Sequence, residues 1–121
     1  MTASPLIAIV DDDPGMRGSL NSLMRSAGLT PQCFRSGEAL LGCGLERQIA
    51  CIVTDLHMPG MTGLELQAEM VRRGWRNPVI VMTAYPTDTA RDQALAAGAV
   101  AFLSKPIDPD ALLDAIERAA A

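Results

Sequence analysis

Hydrophobic residues are arranged along this chain in short apolar runs that alternate with segments of helical spacing. The first run covers residues 6–10 and stops abruptly at Asp11, as a strand does when both of its faces are covered. Four further runs follow, and they cover residues 31–34, 51–54, 78–82 and 100–103. We therefore predict five strands, of which the second is the weakest.

Capping residues and glycines mark five helices between and after these strands. The predicted N-caps are Asp13, Ser36, Thr62, Thr87 or Asp88, and Asp108. Thr62 and Glu65 also form the pattern of a capping box. Helical spacing predicts that the third helix turns three side chains inward, those of Leu64, Ala68 and Val71.

Five strands that alternate with five helices are typical of a doubly wound α/β domain with a parallel sheet. At 121 residues the chain fits one domain, and it is long enough to bury a core without disulfides or a structural metal. No linker or low-complexity segment interrupts the pattern. We therefore expect a single domain over residues 1–121.

The composition agrees with helices packed on a buried sheet. Hydrophobic residues make up 49% of the chain and aromatic residues only 3%, which favours this arrangement over a sandwich of exposed antiparallel strands. The formal charge is −4, and the nine arginines are scattered along the sequence. Because affinity for a phosphate backbone requires clustered Lys and Arg, we expect no direct binding of nucleic acid.

The cysteines and the histidine form no pattern of a redox or zinc site. Cys33, Cys43 and Cys51 lack CxxC spacing, and His57, the only histidine, has no metal-ligand spacing with them. We expect reduced thiols in or near the core of a cytoplasmic protein. The N-terminal apolar run is too short to cross a membrane and lacks the design of a signal peptide, so we expect a soluble protein.

Polar side chains stand at the carboxyl ends of four predicted strands, where open parallel sheets bind their ligands. These side chains are Asp11 and Asp12, Asp55, Thr83, and Lys105. Converging carboxylates repel one another unless a cation lies among them, and Mg²⁺ prefers such hard oxygen ligands. A carboxylate in this position can attack phosphorus, while an ammonium and a hydroxyl stabilise the charge of the transferring group. The pattern predicts phosphoryl chemistry.

Lys105 is the only lysine in the chain, and the nine other basic residues are arginines. A residue that only filled surface space would be drawn from the type used elsewhere. A single compact ammonium at a strand end is suited to a point contact with phosphate, which supports the prediction of phosphoryl chemistry.

Five motifs together resemble the response-regulator receiver domains of two-component signalling. They are Val10-Asp11-Asp12-Asp13, Val53-Thr54-Asp55 with Met58-Pro59-Gly60 and Gly63, Val81-Met82-Thr83-Ala84, Gly98-Ala99, and Phe102-Leu103-Ser104-Lys105-Pro106. The motifs occur in order over essentially the whole chain, and the similarity is closest to FixJ-type receivers. The resemblance implies a flavodoxin-like fold with the strand order 2-1-3-4-5.

The resemblance also implies a phosphorylation and metal site. Asp55 would be the phosphoacceptor. Mg²⁺ would be bound directly by Asp12, by Asp55 and by the backbone carbonyl of His57. Asp11 would act on the ion mainly through a bound water.

Further roles, including those of a conformational switch, are implied in the same way. Thr83 would bond to a phosphoryl oxygen, and Lys105 would pair with the phosphoryl group. Phe102 would be an aromatic rotamer switch, and the Lys105–Pro106 peptide bond would be cis. Phosphorylation would remodel the surface of the fourth helix, the fifth strand and the fifth helix.

The implied partners follow from this family. The phosphoryl donor would be a sensor histidine kinase, and small acyl phosphates would substitute for it. FixJ-type receivers usually precede a helix-turn-helix DNA-binding domain, which implies a transcriptional output. The chain would then be either a piece of a longer regulator or a stand-alone receiver, and phosphorylation could produce a homodimer. The protein would work as a switch and not as a metabolic enzyme.

Two other functions remain open from the residues alone. A haloacid-dehalogenase-like phosphatase would use Asp11 as nucleophile and Asp13 as general acid, although it would leave Asp55 without a role. Turnover of p-nitrophenyl phosphate that is lost in Asp11→Asn would identify such an enzyme. A non-catalytic interaction module with the same fold would have no need for the intact acids, Thr83 and Lys105.

Overall fold

The computed structural model describes residues 4–120, so residues 1–3 and 121 of the predicted domain lie outside the described part. The strands are β1 (Leu6–Val10), β2 (Thr30–Phe34), β3 (Ile49–Asp55), β4 (Val79–Thr83) and β5 (Ala101–Ser104). The helices are α1 (Pro14–Ser26), α2 (Gly37–Leu41), α3 (Gly63–Arg72), α4 (Asp88–Ala96) and α5 (Pro109–Ala120). All neighbouring strands are parallel, in the order β2-β1-β3-β4-β5. The predicted fold class and strand order are confirmed.

Each face of the sheet has its own hydrophobic core. Successive side chains of a strand point to opposite faces, so Ile7 and Ile9 join one cluster while Ala8 and Val10 join the other. Residues of α1 and α5 complete the first cluster, and residues of α2, α3 and α4 complete the second. Helices therefore cover both faces of the sheet, and the buried polar side chains of Asp11, Asp55 and Thr83 lie at or just beyond strand ends. Among the helices of residues 4–120, none combines the length and the apolar composition needed to cross a membrane.

Side-chain caps begin the helices where the sequence predicts them. The Asp13 carboxylate accepts two hydrogen bonds from N–H groups in the first turn of α1, at 3.2 and 3.3 Å. Thr62 and Glu65 form the capping box of α3. Of the two candidates for α4, Thr87 is the N-cap and Asp88 is the first helical residue. These caps hold the loops that follow the carboxyl ends of the strands.

The predicted inward face of α3 is wrong for Ala68 and Val71, whereas Leu64 is partly buried against the core. The buried positions of the helix are Gly63, Leu66, Gln67 and Met70. The predicted stripe of Leu64, Ala68 and Val71 differs by one residue, about 100° around the helix axis, and Val71 is 67% exposed. Gly63 explains the difference, because a Cβ at this position would lie 2.6 Å from the Asp55 carbonyl oxygen. That close contact sets the rotation of α3.

The three cysteines are free thiols, and Cys51 is buried while Cys33 and Cys43 are half-buried. Burial raises the pKa of the Cys51 thiol from its ordinary value of 9.0 to about 12. Since the thiolate is the reactive form, we expect iodoacetamide at neutral pH to leave Cys51 unmodified in the folded protein. Peptide mass spectrometry should find modified Cys51 only after unfolding in urea. Labelling of Cys51 as fast as that of Cys43 in the native protein would contradict its position in the core.

Candidate functional site

The carboxyl ends of four strands bring polar side chains together at one edge of the sheet. Asp11 follows β1, Asp55 ends β3, Thr83 ends β4, and Lys105 follows β5. The four strands are neighbours in the order β1-β3-β4-β5, and parallel strands end on the same side. Asp11 and Thr83 are 0% exposed and Asp55 is 6% exposed. Polar groups this deeply buried are stable only with partners.

Lys105 lies between the two buried carboxylates. Its Nζ is 3.1 Å from Asp11 Oδ2 and 3.4 Å from Asp55 Oδ1. The contact to Asp11 joins residues 94 positions apart in the chain. The only lysine of the sequence is therefore placed beside both acids, and it supplies a positive charge to each of them.

The surroundings of Asp55 disfavour its charged form. Burial raises the pKa of Asp55 above its ordinary value of 3.8, the negative charge of Asp11 raises it further, and Lys105 opposes both effects. Burial alone would lower the pKa of Lys105, but the hydrogen bond and charge of Asp11, together with Asp55, outweigh burial and raise it. One ammonium thus faces two carboxylates, and a second cation would relieve the repulsion that remains.

Three carboxylates are arranged closely enough to share a metal ion. Asp11, Asp12 and Asp55 each offer an oxygen, and these oxygens lie within 4.8 Å of one another. Oxygens around Mg²⁺ are about 3–4 Å apart at its bond length of about 2.1 Å, so small side-chain rotations bring them into one coordination sphere. Asp12 is exposed while the other two are buried, which suits an ion that keeps several waters. These residues fit Mg²⁺, and the His57 carbonyl stays a predicted ligand.

The loop after β4 orients the hydroxyl of Thr83. Its Oγ1 accepts a hydrogen bond from the N–H of Tyr85 at 3.0 Å, which leaves the hydroxyl proton free to donate to another acceptor. Phe102 is partly buried against the core cluster beneath α3 and α4, and its role as a rotamer switch stays a prediction. The Lys105–Pro106 peptide bond is cis.

A haloacid-dehalogenase-like phosphatase would require Asp11 and Asp13, and both of these side chains already accept other hydrogen bonds. Asp13 caps α1 through both carboxylate oxygens. Asp11 Oδ1 accepts from the N–H of Asp13 at 3.0 Å, and its Oδ2 accepts from Lys105. A general acid at Asp13 would have to give up the helix cap. The geometry therefore disfavours a phosphatase that uses Asp11 and Asp13.

Arg17 belongs to the site, although no motif in the sequence predicts this. Its Nη1 donates to the carbonyl oxygen of Asp11 at 2.8 Å, while the N–H of Asp11 donates to the Phe34 carbonyl at 3.1 Å. The peptide between Asp11 and Asp12 is thereby held from α1, which positions both carboxylates. One sequence signal was available, since a positive charge near the start of a helix opposes its dipole and calls for another role.

Comparison with known proteins identifies the family to which this fold belongs. A family model of the response regulator receiver domain matches residues 7–117. The chain is 40% identical over 116 residues to Transcriptional regulatory protein FixJ of Azorhizobium caulinodans, covering 96% of this chain and 55% of that protein. It is 37% identical over 111 residues to Nodulation protein W of Bradyrhizobium diazoefficiens, covering 92% of this chain and 49% of that protein.

Solved structures give the same result. The crystal structure of FixJ-N superposes with a TM-score of 0.87 at 32% identity, covering 98% of this chain and 95% of that chain. The chain belongs to the response regulator receiver domain family of two-component systems. It spans about half the length of the curated relatives it matches.

Proposed function

We propose that this chain is a single receiver domain that accepts a phosphoryl group on Asp55 and works as a signalling switch. The observation that carries the proposal is the position of the Lys105 ammonium, 3.1 Å from Asp11 and 3.4 Å from Asp55 at the edge of the sheet. Asp11, Asp12 and Asp55, with the backbone carbonyl of His57, would hold Mg²⁺. The donor would be a phosphohistidine of a sensor histidine kinase, or a small acyl phosphate.

The side chains of the site support in-line phosphoryl transfer. An oxygen of Asp55 forms a bond to phosphorus while the bond from phosphorus to the donor nitrogen or oxygen breaks, and the leaving group keeps the electron pair. Lys105 neutralises charge on the phosphoryl oxygens, and the Thr83 hydroxyl donates a hydrogen bond to one of them. Mg²⁺, when bound, adds charge neutralisation at the same oxygens.

We propose that the new charge biases a conformational equilibrium that already exists in the domain. Moving a population from about 1% to 99% in one state needs about 5.5 kcal/mol of differential binding. Charge-assisted hydrogen bonds contribute about 1.5–3 kcal/mol each, so about two to four new contacts to the phosphoryl group, including those of Thr83 and Lys105, would supply this difference. Thr83 would move towards the phosphoryl group and Phe102 would turn inward, which would remodel the surface of α4, β5 and α5.

The output of the switch is proposed from the relatives. The matched relatives include a protein named a transcriptional regulatory protein, and they are about twice as long as this chain. The remodelled surface would act on a C-terminal output domain or a separate partner in transcriptional control, in the cytoplasm. Pairing of two phosphorylated receivers through that surface would give a homodimer.

Intact-mass measurement tests the phosphoacceptor. Wild type incubated with acetyl phosphate and Mg²⁺ is expected to gain the mass of one phosphoryl group, and EDTA should suppress the gain. Asp55→Asn removes the nucleophilic carboxylate while keeping its shape, so the gain should disappear. Asp13→Asn is the matched control, because Asp13 caps α1 and should leave phosphorylation intact. An equal mass gain in Asp55→Asn would end the proposal.

Arg17→Ala is expected to weaken Mg²⁺ binding about 10-fold, as removal of a group that orients metal ligands does. If Arg17 acted only through its charge, its removal would strengthen binding, because a positive charge repels the ion. The sign of the change, measured by titration calorimetry, therefore separates the two roles. Arg25→Ala, at the other end of α1, should bind Mg²⁺ like wild type. Unchanged or tighter binding by Arg17→Ala would contradict the positioning role.

A further inference from the structure

A second polar surface lies at the opposite end of the sheet from Asp55. It is a cavity of about 550 Å³ beside the start of β3 and the residues that precede β4. Its lining includes Glu46, Arg47, Arg73, Trp75, Arg76 and Asn77. We call these six residues the arginine groove. Glu46 and Arg47 come from one segment and the other four residues from positions 73–77, so two segments that are far apart in the sequence meet here in space.

The walls of the groove are held in place by Asn77. Its Nδ2 donates to the Glu46 carbonyl at 2.7 Å and to the Ile49 carbonyl at 2.9 Å. These bonds attach the segment that carries Arg47 to the segment that carries Arg76. Arg47 and Arg76 therefore lie on two segments that are joined by hydrogen bonds and do not move as independent loops.

Guanidinium donors in the groove are available to a ligand. Glu69 engages Arg72 and also contacts Arg73 Nε at 2.9 Å, which leaves the terminal nitrogens of Arg73 without a partner in residues 4–120. Within the same range, Arg47 and Arg76 make no ion pair. Guanidinium groups bind carboxylates through two parallel hydrogen bonds, so the groove has the donors for more than one carboxylate.

The charge distribution favours a short acidic ligand over a long one. Arg47, Arg72, Arg73 and Arg76 with Glu46 and Glu69 give this region a formal charge of +2, so the remainder of a chain of charge −4 carries −6. An extended polyanion such as duplex DNA would run from the groove onto this negative remainder and be repelled. A peptide of a few acidic residues would stay within the groove.

We propose that the arginine groove is a docking site for a short acidic segment of a partner protein. The carboxylates of the segment pair with Arg47, Arg73 and Arg76, and the half-buried indole of Trp75 forms an apolar wall beside them. The site lies apart from Asp55 and its carboxylate cluster, so binding there does not depend on phosphorylation.

Trp75 is the only tryptophan of the chain and therefore reports on the groove. Titration of the full chain with a hexaglutamate peptide, followed by Trp75 fluorescence and by calorimetry, should give saturable binding that weakens with added salt. The double variant Arg47→Gln/Arg76→Gln is expected to bind at least 10-fold more weakly, and Arg47→Gln alone should show part of that loss. Arg25→Gln/Arg91→Gln changes the net charge equally outside the groove and should bind like wild type.

Three results would overturn the proposal. The first is a calorimetric titration without saturable heat, and the second is an equal loss of binding in the Arg25→Gln/Arg91→Gln control. The third is that a duplex oligonucleotide binds more tightly than the peptide and that its binding depends on Arg47 and Arg76 in the same way. The last result would assign the groove to nucleic acid. Thermal unfolding of each variant checks that all of them are compared in the folded state.

Discussion

Gly63→Ala is expected to destabilise the domain by about 1–3 kcal/mol, the usual cost of forcing an extra group into a packed interior. The added Cβ would lie 2.6 Å from the Asp55 carbonyl oxygen and 3.0 Å from Leu56 Cα. Both neighbours are backbone atoms, so neither can rotate away, and the end of β3 has to shift. Since that end carries the Asp55 carboxylate, phosphorylation should become slower in the same variant.

Gly18→Ala is the matched control for this experiment. Gly18 lies inside α1, and a Cβ there would meet no atom within 4 Å. Alanine at an exposed position inside a helix stabilises it by about 1 kcal/mol relative to glycine. Urea unfolding should therefore give opposite signs for the two substitutions. Equal stability of Gly63→Ala and wild type would show that α3 does not pack against β3 as closely as described.

Lys105→Met is expected to slow phosphorylation of Asp55 by roughly 100- to 1,000-fold, the effect of removing one preorganised group that stabilises developing charge. Methionine keeps an unbranched side chain through the fourth heavy atom but lacks the ammonium that lies 3.4 Å from Asp55 Oδ1. The initial rate of phosphorylation by acetyl phosphate, followed by intact mass at saturating Mg²⁺, measures this loss.

Lys105→Arg separates charge from shape at the same position. Arginine keeps a positive charge but replaces a compact ammonium by a planar fork, so a rate between those of wild type and Lys105→Met is expected. A wild-type rate in Lys105→Met would mean that the contacts to Asp11 and Asp55 serve stability alone.

The residues that form the site were predictable because the topology of the sheet determines which strand ends meet. In a parallel sheet the strand ends meet at one edge, so acids after the first and third apolar runs and a lysine after the fifth had to converge. The observed contacts of Lys105 with Asp11 and Asp55 agree with this expectation. The starts of α1 and α3 were equally predictable from the sequence, since Asp13 and the pair of Thr62 and Glu65 act through local hydrogen bonds.

Features that depend on the rotation of a helix were not predictable in the same way. Leu64, Ala68 and Val71 form a regular apolar stripe, yet the buried stripe of α3 is displaced by one residue because Gly63 meets the backbone of β3. Nothing in the local sequence encodes that contact. The bond from Arg17 to the Asp11 carbonyl has the same origin, because it depends on how α1 is turned above β1.

The arginine groove could not be predicted from the sequence for a related reason. The sequence has no long basic stripe, but Arg47 and Arg76 belong to loops that the strand order brings side by side. Arg73 and Arg76 are only three positions apart in the sequence, but the approach of Arg47 to them depends on the strand order.

The location of the phosphoryl group is the most direct test of the proposed switch. After reaction with acetyl phosphate and Mg²⁺, borohydride reduction converts an aspartyl phosphate to homoserine, which peptide mass spectrometry identifies by position. We predict homoserine at position 55 and at no other acid of the chain. Homoserine at position 11 or 12, or none at all in protein that has gained a phosphoryl mass, would contradict the assignment of Asp55 as the acceptor.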